Sequence, residues 1–104
     1  MPNPKRGEVW LIDLGYTAKV RPCLVLSIPA EDADRALVTL VPHTTSVRDS
    51  NFEVSIKVRF LREGAFDVQN LITVPHAKLI RKLGILQPAE LADIESVVRL
   101  WLGL

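Results

Sequence analysis

The feature that most constrains this 104-residue chain is the spacing of its apolar, β-forming stretches. Glu8 to Leu14, Cys23 to Ile28, Ala36 to Val41, Phe52 to Val58 and Val68 to Val74 all read as strands. A parallel connection needs a crossover of a dozen or more residues, usually a helix, and most of the intervening segments are too short for one. The sheet should therefore be antiparallel and strongly bent. Cys23 to Ile28 is nearly all apolar, as a central strand buried on both faces should be. Phe52, Val54, Ile56 and Val58 alternate with Glu53, Ser55 and Lys57, which fits a half-exposed strand. Pro22 stands at the entrance of the second stretch, Pro42 ends the third, and Pro75 ends the fifth. Ala77 to Leu83 suits either a strand or a short helical turn. From Pro88 the period changes: Leu91, Ile94, Val98 and Trp101 make one helical stripe, with Glu95 and Arg99 set to pair and Gly103 as the stop. The expected product is one domain over residues 1–104, mainly β, a small antiparallel barrel with a C-terminal helix.

Composition narrows the function. At 48% hydrophobic the chain is globular, and no apolar run is long enough to span a bilayer. Met1 to Arg6 has charge but no leader-like apolar stretch after it, so a cytoplasmic protein is expected. The lone Cys23 excludes an intrachain disulfide and reads as a small buried hydrophobe. His43, His76 and the carboxylates lack metal-ligand spacing, so neither metal nor cofactor is expected. The net charge is only +1, yet Arg48, Lys57, Arg59, Arg62, Lys78, Arg81 and Lys82 outnumber the acids between positions 48 and 82. On charge alone, ordinary surface chemistry explains this better than an anion-binding face does.

Two strand ends carry the polar chemistry. Val20-Arg21-Pro22 precedes the second strand, and Pro42-His43-Thr44-Thr45-Ser46 follows the third. If these strands are antiparallel, Arg21 faces His43, Thr44 and Thr45. A guanidinium beside hydroxyls and an imidazole suits a phosphodiester. The guanidinium fork matches phosphate oxygens and neutralises charge that builds on phosphorus. RNA brings its own nucleophile, the 2′-hydroxyl. The bland alternatives are an arginine solvating a strand end, hydroxyls bonding their own turn, and a solvent-facing histidine. Trp10 and Trp101 read as core or interface anchors.

Lys5-Arg6-Gly7-Glu8-Val9-Trp10 with Asp13-Leu14, then Arg21-Pro22-Cys23-Leu24-Val25-Leu26-Ser27, then Val41-Pro42-His43-Thr44-Thr45-Ser46, resemble in order and spacing the MazF/PemK toxins of type II toxin–antitoxin systems. Phe52-Glu53-Val54 and Asp67-Val68-Gln69-Asn70 with Ile72-Thr73 extend the resemblance, which runs from about Lys5 into the C-terminal helix. It implies an SH3-like barrel of the MazF/PemK/CcdB kind, a homodimer, and metal-independent cleavage of single-stranded RNA to a 2′,3′-cyclic phosphate and a 5′-hydroxyl. The family's essential arginine falls on Arg21 and its threonine on Thr44, with Thr45 the other register. His43 is the expected proton carrier and Asp67 its competitor. Thr45, Ser46, Arg48, Gln69, Asn70 and Lys78 are expected to contact RNA. The implied partner is an antitoxin that lays a flexible acidic tail over the RNA groove. Two departures stand out: only Gly15 to Val20 separates the first strand from Arg21, and Gln69 occupies a position where some relatives carry an acid. The alternatives are a non-enzymatic, CcdB-like poison of a protein target and a nucleic-acid-binding barrel without catalysis.

Overall fold

The computed structural model describes residues 3–15 and 19–104. The leader-region reading at positions 1 and 2, and residues 16–18 of the expected first turn, lie outside them. Seven strands, β1 (Glu8–Asp13), β2 (Val20–Val25), β3 (Leu37–Thr44), β4 (Glu53–Val54), β5 (Ala65–Asp67), β6 (Ile72–Pro75) and β7 (Leu79–Ile85), precede helix α1 (Pro88–Leu102). Short 3-10 turns cover Val68–Asn70 and His76–Lys78. The strands pair antiparallel in the order β4-β5-β3-β2-β1-β7, with β6 also on β3. The result is a bent, barrel-like sheet whose ends do not join. That agrees with the architecture expected from the short connections.

β3 is the hub. Its first half, Leu37 to Leu40, pairs with β6, and its end, His43 and Thr44, pairs with β5. On its other side β2 pairs only from Cys23↔Pro42 to Val25↔Leu40. Pro42 cannot donate to a ladder, and neither can Pro22 one step beyond Cys23. The β2–β3 ladder ends where the two prolines stand, and past that point the strands part. β2 lies three residues earlier than the sequence suggests, ending at Val25 instead of Ile28, and β3 runs further. β2 begins at Val20 rather than Cys23, and β3 passes through Pro42 to Thr44 rather than stopping.

Alternation along β2 and β3 sorts side chains into two cores. Leu24 and Val41 join Val9, Phe66, Val68, Ile94 and Val98 in the core beneath the helix. Cys23, Val25, Val38 and Leu40 join Ile12 and Val74 in the second. This explains why the second stretch is apolar without interruption: β2 is covered on both faces.

Three expectations are corrected. The Phe52–Val58 stretch forms a ladder only at Glu53–Val54; Ile56 is buried in the helix-side core and Val58 packs against it without strand pairing. The Val68–Val74 strand is broken by the turn at Val68–Asn70, so that β5 and β6 each reach β3 at a different stretch. The Val68 amide donates to the Phe52 carbonyl oxygen at 3.0 Å and the Leu71 amide to that of Val68 at 3.2 Å. Glu95 pairs with Arg6, across the fold, instead of with Arg99 on its own helix. The undecided Ala77–Leu83 region holds both options, a turn at His76–Lys78 and then β7.

α1 forms where the stripe predicts, with Ile94 and Val98 buried. The Gln87 amide donates to Glu90 Oε1 at 2.7 Å, closing the N-terminus, and Gly103 takes the left-handed φ of 72° that ends it.

Candidate active site

The parting of β2 and β3 opens a cleft of about 420 Å³ between Leu14, Arg21, Pro42, Thr44, Asp67, Asn70 and Ile72. Each polar group arrives from a different element: Arg21 from the start of β2, Thr44 from the end of β3, Asp67 from the end of β5 and Asn70 from the following turn. Arg21 and Thr44 each lie two residues from the last pair, Cys23↔Pro42, so alternation puts both on the face of that pair. Opposite residues of an antiparallel pair share a face, so both side chains point the same way.

The hydroxyl of Thr44 is held in place. Its Oγ1 accepts the Ser46 amide at 3.0 Å, which leaves the hydroxyl proton for an oxygen in the cleft. The bland reading of Thr44 as a turn former is therefore also true of it: one oxygen fixes the turn and presents a donor. Asn70 Nδ2 donates to Asp67 Oδ2 and fixes that carboxylate. A neighbouring hollow of about 430 Å³ shares Thr44, Asp67 and Asn70 and adds Ser46, Arg48 and Gln69. Its rim is shaped by Glu53, whose Oε1 accepts the Arg48 and Ser50 amides, each at 3.0 Å.

Cleft and hollow thus bring together Arg21, Thr44, Ser46, Arg48, Gln69 and Asn70 of the expected residues. Thr45, the other register, points away with His43 into a second cavity. Arg21 does not meet His43, Thr44 and Thr45 on one side as expected: it shares the cleft with Thr44 and the second cavity with His43 and Thr45. β3 stays regular through Thr44, so its neighbours alternate. The His43 ring is 3% exposed and packs edge-on against Phe66, with ring centroids 5.1 Å apart. Burial holds its pKa below the ordinary value of 6.5. The solvent-facing imidazole fares no better as a reading. Lys78 sits on the turn before β7 and lines neither the cleft nor its hollow.

Cys23 fits its reading as a hydrophobe: fully buried, with burial pushing its thiol up to about 12 although the charge of Arg21 pulls the other way. Among the described residues no three His, Cys, Asp or Glu side chains come close enough together to hold a metal ion. One structural residue escaped the sequence reading. Gly64 lies against the Thr44 carbonyl and 2.8 Å, measured from where a Cβ would stand, from His43 Cε1. Nothing in its local sequence marks that approach.

The described residues thus form a bent antiparallel sheet with a C-terminal helix and a cleft at the strand ends lined by Arg21 and Thr44. The chain belongs to the family described as the PemK-like, MazF-like toxins of type II toxin–antitoxin systems, whose model matches residues 5–102. It is 33% identical over 104 residues to the endoribonuclease MazF1 of Mycobacterium bovis, spanning all of this chain and 97% of that one. The match to the endoribonuclease MazF4 of Mycobacterium tuberculosis is of the same extent. Among solved structures, a mycobacterial endoribonuclease in complex with its cognate antitoxin superposes with a TM-score of 0.84 at 31% identity, covering 97% of this chain and 96% of that one. MazF from Deinococcus radiodurans, at 23% identity and full coverage of both chains, shares the fold with a TM-score of 0.82.

Proposed function

We propose that the Arg21–Thr44 cleft is where this toxin cuts RNA. Its family and its curated relatives make it the toxin of a toxin–antitoxin pair with endoribonuclease activity. The observation that carries the assignment is that Arg21 and Thr44 share one face of one cleft although they come from different strands. The Arg21 guanidinium binds the scissile phosphate of a single-stranded RNA and stabilises the charge that develops on it. The Thr44 hydroxyl donates to a non-bridging oxygen. The RNA 2′-oxygen attacks phosphorus and the P–O5′ bond breaks. The 2′-hydroxyl proton passes to a base, and the leaving 5′-oxygen gains one. The products are a 2′,3′-cyclic phosphate and a 5′-hydroxyl, and no metal or cofactor takes part.

Asp67, in the cleft and oriented by Asn70, is the better-placed proton acceptor. His43, on the far side of β3, serves structure and the second cavity instead. Ser46, Arg48, Gln69 and Asn70 in the adjoining hollow hold neighbouring nucleotides. A cytoplasmic homodimer, restrained by an antitoxin whose acidic tail competes for the same cleft, completes the reading.

The test is incubation with a long RNA in EDTA, followed by mapping of the ends. Arg21→Ala and Thr44→Ala should each slow cleavage by roughly a hundredfold or more while melting like the parent. A folded variant of either kind with near-parental cleavage removes the assignment.

A further inference from the structure

The second cavity, about 570 Å³, opens on the opposite face of the β2–β3 end from the cleft. Lys19, Arg21, Arg62 and Arg81 line it, with His43 and Phe60 in its wall, and no carboxylate lines it among the described residues. Alternation explains the division. Val20 and Pro22 face this cavity, whereas the cleft continues the face of Cys23. Arg21, at the point where the strands part, lines both. His43 Nε2 is buried and finds no hydrogen-bond partner among the described residues. Buried polar atoms are normally satisfied, and an orphan calls for an explanation. The other buried histidine shows the contrast: His76 Nε2 lies 3.2 Å from the Leu37 carbonyl oxygen.

We propose that this cavity is a second subsite for the RNA strand, taking a phosphate beyond the one held in the cleft. The inference rests on the reading of the cleft as an RNA site. Arg62 and Arg81 in a concave wall that no carboxylate lines among the described residues attract a polyanion. A strand crossing the rim at Arg21 passes from the face of Thr44 to the face of His43. Arg62 and Arg81 then bind its next phosphate, beside the wall that holds the His43 ring. The basic residues between positions 48 and 82 therefore serve two faces, Arg48 beside the cleft and Arg62 and Arg81 behind it.

The experiment uses the full chain with a single-stranded 2′-O-methyl oligonucleotide, which keeps its phosphates but cannot be cut through a 2′-hydroxyl. Affinity is measured against salt, and the His43 ring resonances are followed by NMR. The oligonucleotide should shift the His43 resonances. Arg62→Gln/Arg81→Gln should lower the slope of log affinity against log salt by about 0.7, the value for one single-strand phosphate no longer neutralised. An unchanged slope and still His43 resonances overturn the subsite. So does a full His43 shift with inorganic phosphate at the same affinity, which marks a free-anion site. A shift with polyglutamate but not with the oligonucleotide assigns the cavity to an acidic protein chain and likewise overturns it. A changed mass in light scattering with an unchanged slope gives the face to a second copy and overturns the subsite too. Parental protein that fails to cut RNA, yet shows the predicted shift and slope, refutes the cleavage reading and leaves the subsite standing.

Discussion

At the residue scale the chemistry depends on which way single side chains face. Gly64 illustrates how little room there is. A methyl group there would overlap the Thr44 carbonyl oxygen and press on His43. Overpacking of this kind costs about 1–3 kcal/mol. Gly64→Ala should lower the melting temperature by several degrees and cut cleavage more than binding, because it displaces the backbone that carries the hydroxyl. Parental melting and parental turnover together would show that the contact is slack. His43 gives a pH signature. Its folded pKa lies below 6.5, so the unfolded chain takes up this proton first. Stability is unaffected by His43 above that value and falls as pH drops through 6.5, until the folded imidazole is protonated too. Glu8 acts lower down. Burial raises its pKa, but the Lys5 amide, Trp10 Nε1 and Lys82 outweigh that and hold it below 4.5, so its contribution is lost only as pH falls past there. Urea melts between pH 7.5 and 5 should therefore show a decline that His43→Leu abolishes; an equal decline in the variant would assign it to other groups. Arg21 and the cluster from His43 to Ser46 stand out as polar residues at the mouths of apolar strands, but only the family resemblance singles out Thr44 from Thr45. The direction of His43 was not legible, since Pro42 reads as a strand stop and β3 runs through it.

The element scale shows why some segments were easy to read and others misled. The stripe of α1 is a property of the helix itself, so its bounds followed from Pro88 and Gly103. Its N-terminus relies on the bond from the Gln87 amide to Glu90. Glu90→Ala should cost about 1 kcal/mol, with a matching loss of thermal stability and no change in cleavage per folded molecule. An unchanged denaturant midpoint would mean that water replaces the carboxylate. The alternation from Phe52 to Val58 correctly marks which side chains turn inward. Burial and pairing are separate matters, however, and after Val54 no neighbouring strand offers a ladder. The turn at Val68–Asn70 carried no glycine or proline to announce it. It exists because β3 must be met twice, by β5 and by β6, and that demand lies outside the segment.

For the whole molecule, the open question of assembly has a direct measurement. Trp101 stays 40% exposed against Phe52, and Leu100, Leu102 and Leu104 beside it are exposed as well. A homodimer should scatter light as about twice 11.6 kDa at micromolar concentration. An active monomer would remove the dimer from the reading. The hub role of β3 also bears on how the protein comes into being. Pairings between residues far apart in sequence must wait for both partners, and folding dominated by them is slow. Thr44 is not paired with β5 until Ala65 has been made, and β3 is not flanked along its length until residue 75. The core over Ile94 and Val98 waits for α1, which follows all seven described strands. A growing chain on a ribosome therefore holds both Arg21 and Thr44 long before they form a cleft, and the proposed site comes together only after β5 and β6 have been added.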